Sequence, residues 1–375
     1  QGTSYVQIIN SQFKGFKYGM YGSGYLGGVT APVEKITIDN SKFYDNYAGL
    51  FLEGYHTAGD APYAKGSVDS WTISKTKFDT NYKWGVWMES GSTKNSYYIQ
   101  NVKFTESDFL NTVVEHGLYV QGRNHSFINS TFVNNNTAGI RSLANPGMRV
   151  IGSYFEGNGK NAGGGGYQTG GIMIGNDRQS SYDETKEGVG IIIEGNRFYD
   201  NYIGIEMYAD KLGVKIIGND VRDSDSYGMI LYQIPESVIS ANTVASSGSD
   251  GIYVTSYGGA GAFSGVSEYV IIANNISVDN TGYGINISNG GSTHFKVTEN
   301  YAYNNTAGSI KVPSVDYDGI FTTSGNLVGV GTTTPNNKLD IYSTTKSAIG
   351  FSGASGNAYK WTMGMDVTNG GRFSI

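Results

Sequence analysis

One pattern repeats along most of this chain: an apolar strand, a Ser, Thr or Asn, one residue, an apolar anchor, a short Asn-rich turn, then Gly followed by alternating apolar residues. It recurs about eleven times, with anchors at Phe13, Phe43, Phe78, Phe109, Phe132, Phe155, Phe198, Val221, Val244, Ile276 and Ala302. The step from Phe109 to Phe132, and again from Phe132 to Phe155, Phe198 to Val221 and Val221 to Val244, is 23 residues. A fixed period of this length marks a solenoid, in which each unit buries its apolar face only against its neighbours. Leucine-rich repeats share the length, but their Leu-x-x-Leu-x-Leu-x-x-Asn signature is missing, and β-branched strands with Asn at the turns predict an all-β chain. The expected architecture is a single-stranded parallel β-helix over residues 1–313, right-handed because that crossover is the physical default.

The alternation can be read position by position, since successive side chains in a strand point to opposite faces. The first residue after each Gly (Leu50, Val86, Leu118, Ile140, Ile172, Ile205, Met229, Ile252, Ile285) and the third (Leu52, Met88, Val120 and onward) are predicted to point inward as a continuous stack. The Ser, Thr or Asn two places before each anchor, Ser11 through Asn196, Asn219, Asn242, Asn274 and Asn300, is predicted to form a ladder at a turn, because Asn tolerates left-handed backbone and bonds local peptide groups. In the last coil, Gly308 precedes an apolar pattern that reads as slipped by one residue.

Composition narrows the function. Gly at 55 and Tyr at 29, with only 15% charged residues, suit short strands and tight turns. A net charge of -6 removes the basic footprint that nucleic acid or an anionic membrane would need, so neither partner is expected. No run approaches a membrane span, and membrane insertion is not expected. Without cysteine there is no disulfide, thiolate metal site or cysteine nucleophile, and four scattered histidines make no zinc motif. No metal and no other cofactor is expected. The start at Gln1, without Met, reads as a processed or truncated piece.

The second residue after each Gly is predicted to face solvent, and that column reads Tyr21, Phe51, Trp87, Tyr119, Arg141, Met173, Glu206, Ile230, Tyr253, Asn286. The fourth adds Glu53, Glu89, Gln121, Tyr208 and Tyr232. Strands stacked about 4.8 Å apart would make this a stripe on the order of 45 Å long. Aromatic planes match the C–H faces of sugars, and carboxylates or amides match their hydroxyls. Trp87, Tyr119, Tyr208, Tyr232, Tyr253 and Asp250 are therefore the expected polysaccharide-binding residues. Such rings could also merely pack on their rung neighbours. Insertions at 55–69, 176–188 and 256–267 are expected to rise beside the stripe and make a groove.

Two constellations could carry chemistry. Glu53 and Glu89 occupy one column on successive coils, roughly 5 Å apart, the spacing of a retaining acid and nucleophile. Glu115, His116, Tyr119, Arg141 and Glu206 form the other. Arg141 with His116 or Tyr119 would serve a lyase, neutralising a uronate and moving its proton, whereas Glu206 with Glu115 or Asp250 would serve a hydrolase. Neither has the specificity of a metal or nucleotide fingerprint.

After Val312 the period stops, and residues 314–325 read as a linker. Residues 326–341, Asn-Leu-Val-Gly-Val-Gly-Thr-Thr-Thr-Pro-Asn-Asn-Lys-Leu-Asp-Ile, resemble the "N-VGIGT-x-x-P-x-x-KLDV" segment of bacteriophage tail-fibre and tailspike proteins, and 359–375 resemble the strand-rich stretch beside it. The resemblance covers about the last fifty residues. It implies a trimerising β module over 326–375, a homotrimer, and an extracellular or virion-tail location, with glycan recognition and often depolymerisation by the β-helix. The family's usual following chaperone segment is not in this chain, and the family's varied placement of its acids transfers no residue role. The resulting expectation is a tailspike-like polysaccharide depolymerase, hydrolase or lyase, with a non-catalytic glycan-binding fibre or adhesin, or a purely structural stalk, as the alternatives.

Overall fold

The computed structural model describes residues 4–23, 25–26, 29–30, 33–54, 68–90, 99–143, 145–160, 169–175, 189–208, 212–255, 267–288 and 294–312, and the strands within 321–374. It is all-β, a right-handed parallel β-helix. Each complete coil contributes one strand in turn to three long parallel sheets. In one coil, Ser126–Ile128 lies in the first sheet, Thr131–Val133 in the second and Ala138–Leu143 in the third, each paired with its equivalents in the coils before and after.

Three corners per coil are set by left-handed backbone at intervals of five residues: Lys35, Asn40, Asp45; Asn124, Asn129, Asn134; Gly147, Gly152, Gly157; and so to His294, Glu299, Asn304. A bend this tight needs positive φ, which Gly, Asn and Asp accept most readily. Beside the second and third corners run hydrogen-bond ladders along the helix axis. Ser130 N–H donates to Ser153 Oγ at 3.1 Å, Ser153 N–H to Asn196 Oδ1 at 2.8 Å, and the series continues through Asn219, Asn242 and Asn275 to Asn300. A second ladder runs from Asn135 through Asn158 to Asn201. These side chains are buried, so each pays its desolvation by bonding the peptide of the coil below.

The interior confirms the inward register: Leu50, Val86, Leu118, Ile140, Ile172, Ile205, Met229, Ile252 and Ile285 are fully buried. Phe43, Phe78, Phe109, Phe132, Phe155 and Phe198 stack face to face, with centroids 4.5 to 5.2 Å apart. One anchor differs from expectation. Ser277, not Ile276, pairs with Val244 and Ala302; Ile276 is 42% exposed, and Asn275 rather than Asn274 stands in the ladder. The left-handed residue is Asn274 at φ 57°, and the ladder position follows it by one. Ser277 offsets its buried hydroxyl by donating to the Gly284 carbonyl at 2.7 Å.

The Gly that opens each third-sheet strand is required by backbone approach. A Cβ on Gly49 would lie 2.6 Å from the Gly85 carbonyl oxygen and 2.9 Å from the Phe78 ring. The last coil is not slipped: Ile310 pairs with Ile285 and Gly308 with Tyr283, so Ser309 takes the Gly place. It can do so because, among the described residues, Gly308–Lys311 is the last strand of the third sheet and no following strand brings a carbonyl against it. Within the segment read as a linker, Phe321–Ser324 joins the second sheet beside Tyr301–Tyr303 and pairs antiparallel with Leu327–Val330, which pairs parallel with Leu339–Ile341. Ser347–Phe351, Trp361–Asp366 and Arg372–Ser374 form a separate antiparallel sheet.

Candidate functional site

The third sheet carries the candidate column on its outer side, in the expected register, with Glu115, His116 and Asp250 just before their strands: Phe51 beside Trp87, Trp87 beside Tyr119, Tyr119 beside Arg141, Arg141 beside Met173, Met173 beside Glu206, and on to Ile230, Tyr253 and Asn286. What the sequence pattern does not anticipate is that this column divides. Phe51, Met173, Glu206, Ile230 and Asn286 are buried, although they lie outside the helix interior. The expectation that the whole column faces solvent is therefore corrected: alternation decides which side of the sheet a residue takes, not what covers that side. The insertions expected to wall the stripe, at 55–67, 176–188 and 256–266, lie outside the described residues.

The open part spans the first five coils. Trp87 is half-buried, stacked between Phe51 and Trp84 with both centroids at 4.1 Å. Tyr18 and Tyr21 continue this aromatic run. Glu53 and Glu89 are direct register partners. Tyr21 donates its hydroxyl to Glu53, and Ser23 Oγ donates to the same oxygen, Oε2, at 3.5 Å. Burial raises the Glu89 carboxyl above its ordinary value, and the neighbouring Glu53 charge adds to the rise. Beyond them, Gln121 donates to the Tyr119 hydroxyl at 3.0 Å, and Arg141 is partly exposed on the next rung.

His116 lies beside this region but under its surface. It is buried, and its Nδ1 and the Thr137 hydroxyl are 2.6 Å apart, while its Nε2 is 3.3 Å from Glu115 Oε2. Burial, and then the Arg141 and Lys83 charges, push its pKa well below the ordinary imidazole value. Neutral His116 satisfies both partners with Nε2–H donating to Glu115 and Nδ1 accepting from Thr137, a tautomer inferred from these contacts. It is placed to orient Glu115 rather than to reach a substrate.

In coils six to eight the outer column is buried, while Tyr208 and Tyr253 at its margin stay partly exposed. Ile203, Ile230 and Tyr232 form a second apolar cluster, with Tyr202, Tyr208, Tyr227 and Tyr253 packed against it. Tyr208 stacks on Tyr232 at 4.6 Å and Tyr227 on Tyr253 at 5.5 Å. Glu206 stands beside Ile230 with no solvent exposure. Asp250 is occupied with structure: it accepts the Tyr283 N–H at 2.6 Å and the Asn286 amide at 2.8 Å. The structure thus brings Glu53, Glu89, Trp87, Tyr119 and Arg141 onto one accessible surface, and separates from it Glu206, Asp250 and Tyr232.

Trp84 and Tyr18 were not singled out by sequence reasoning. Reading the residue before each Gly as a column of its own would have found them. Among the described residues, no group of three or more His, Asp or Glu is arranged to hold a metal.

A family model described as a right handed beta helix region matches residues 167–339. The chain matches no curated protein. Among solved structures, the A-module of the Azotobacter vinelandii mannuronan C-5 epimerase AlgE4 is similar, with a TM-score of 0.60 and 15% identity over 79% of this chain and 76% of that one. The A-module of AlgE6 from the same organism gives 0.54 and 14% over 84% and 75%, and a variant of the periplasmic alginate epimerase AlgG gives 0.50 and 13% over 83% and 76%. At these identities the likeness is one of fold: a right-handed parallel β-helix of the kind found in polysaccharide-modifying enzymes.

Proposed function

We propose that this chain binds and cleaves a polysaccharide on the open part of the third sheet, with Glu89 as acid and Glu53 as nucleophile. The observation that supports it is the pairing of two carboxyls on adjacent rungs, one of them held protonated more firmly than usual by burial and by its neighbour. Strand spacing of about 4.8 Å is close to the ~5–5.5 Å separation of retaining glycosidases. Glu89 would protonate the glycosidic oxygen as Glu53, oriented by Tyr21, attacks the anomeric carbon. Deprotonated Glu89 would then activate the water that releases the glycosyl ester. Trp87, broad and beside the pair, offers the plane for a sugar face.

A second reading has its own observation. Tyr119 and Arg141 are register neighbours, and fold relatives are named as epimerases acting at C-5 of mannuronan. Abstracting a proton beside a uronate needs a cation on the carboxylate and a base at the carbon; in this reading Arg141 would supply the first and Tyr119 the second. Elimination and epimerisation share this step. The tailspike-like identity, the homotrimer and the extracellular or virion-tail location are further proposals that rest on the resemblance of residues 326–341, and sedimentation would test the trimer.

The deciding experiment incubates the protein with a polysaccharide panel in heavy water, following reducing ends, the absorbance of unsaturated uronates and deuterium at C-5. Reducing ends without absorbance, lost in Glu89→Gln, support hydrolysis. Absorbance or deuterium uptake, lost in Arg141→Ala, supports the second reading. Binding that Trp87→Ala weakens, with no product from any polymer, would overturn both and leave the glycan-binding fibre.

A further inference from the structure

The second sheet carries a cavity on its outer face, away from the site above. Three successive strands, Tyr154–Glu156, Arg197–Tyr199 and Asp220–Arg222, pair in register. Their central residues Phe155, Phe198 and Val221 point into the core, so the flanking residues face outward. Between them lies a cavity of about 300 Å³ lined by Tyr154, Arg197, Phe198, Tyr199, Asp220 and Arg222.

The charges in it are unevenly matched. Arg222 Nε donates to Asp220 Oδ1 at 2.8 Å, and the Tyr154 hydroxyl donates to Glu156 Oε2 at 3.0 Å. Arg197, exposed between them, has no carboxylate partner among the described residues. Tyr199, two residues along the same strand, is 45% exposed. The corner beside the cavity is Gly152, Gly195 and Gly218 in three successive coils, and a Cβ on either of the last two would meet nothing within 4 Å. Approach from that side is open, whereas the flanking coils place Asn129 and Ala241 there.

We propose that this cavity is a second glycan site, which binds a carboxylate-bearing sugar unit. Arg197 holds the carboxylate with its planar fork, Tyr199 covers the apolar face of the ring, and Asp220 accepts sugar hydroxyls. A polyphosphate fits less well, because Asp220 and Glu156 stand beside Arg197 and would repel a second negative group. The inference rests on the polysaccharide reading for its polymer: a chain anchored on the second sheet stays at high effective concentration for the third. It does not depend on turnover.

The test titrates the full chain with the methyl glycosides of glucuronate, galacturonate and mannuronate, and with methyl glucoside as the neutral counterpart, followed by NMR. At least one uronate should bind more tightly than the neutral sugar, weaken with added salt, and lose affinity by about tenfold or more in Arg197→Ala, and measurably in Tyr199→Ala, with unchanged melting. Trp87→Ala should leave this binding intact, which separates it from the third-sheet site. Failure of all three uronates to outbind the neutral sugar, or full binding by Arg197→Ala, overturns the proposal. So does a change in oligomeric state in Arg197→Ala, which would make the cavity a contact between copies. If no polymer is turned over but uronate binding still depends on Arg197, the proposed reaction fails and this site stands.

Discussion

The outer surface of the third sheet has two halves built on one backbone pattern. In the first five coils Tyr21, Glu53, Trp87, Glu89, Tyr119 and Arg141 reach solvent; in the next three, Met173, Glu206, Ile230 and Tyr232 do not. Both halves obey the same period of two, so position in the repeat does not separate them. The second apolar cluster does: tyrosines packed over Ile203 and Ile230 make the outer surface into a second interior. A carboxylate in the open half can exchange protons with a substrate, while one in the closed half is part of the packing.

The sharpest way to break this comparison is with buried charge. Ile205→Asp, inside the helix, should abolish the cooperative melting transition, since an unpaired buried charge costs ~3–5 kcal/mol or more. Ile230→Asp, on the outer side of the closed half, should also lower the melting temperature, though by less because the cluster can open to water. Unchanged melting in Ile230→Asp would return that half to the surface.

Next come the two glutamates. Glu89→Gln should lower turnover by about 10²–10⁴-fold, as loss of a general acid does, with melting preserved. In the parent, activity should fall as pH rises through the raised Glu89 pKa, because the acid must carry its proton. Glu206→Gln should instead move the melting temperature and leave turnover in place. Loss of turnover in Glu206→Gln without a melting change would move the chemistry into the closed half.

A smaller effect concerns acid. His125 is fully buried, accepts the Val102 N–H at Nδ1, and has its pKa lowered by burial to about 3. The unfolded chain takes up a proton near pH 6.5 that the folded chain refuses until about pH 3, so stability is present above the first value and lost as pH falls through that window. His125→Asn, which keeps an acceptor at this place, should flatten the decline in melting temperature between those pH values. An unaltered slope would assign acid sensitivity elsewhere, with buried His116 the next group to replace.

The smallest concerns the corners. Ala241 holds φ 55°, a conformation costing roughly 1–2 kcal/mol for an L side chain. Ala241→Gly should raise stability by about 1 kcal/mol or less, after the entropy glycine adds to the unfolded chain. A lower midpoint in urea would mean the methyl packs more than the corner strains.

Much of the helix was legible because each unit repeats the same physical demand. Phe43, Phe78 and Phe109 occupy one place for one reason, and so do Leu50, Val86 and Leu118. The misreading at Ile276 shows the limit: two adjacent asparagines, Asn274 and Asn275, fit the corner and the ladder equally well as letters, and hydrophobicity favoured the wrong register. The regular five-residue spacing of left-handed corners resolves it. Accessibility was not legible, because Trp87 and Ile230 stand in identical positions of the repeat and differ only in what surrounds them. Nor was the role of Asp250, whose partners Tyr283 and Asn286 come from the following coil.

The corners have a consequence for how such a molecule can vary. From the first-sheet entry to the end of the second sheet, ten residues span the same two steps in every coil from Lys35–Asp45 to His294–Asn304, and none is gained or lost. Chain length changes only beyond the third corner, on the way into, through or out of the third sheet. The molecule therefore has an invariant chassis and one editable margin, and that margin borders the candidate third-sheet site. Descendants of such a chain can exchange whole segments at the working edge without retuning the buried ladders that run beside the corners, which makes specificity the cheapest property for this architecture to change.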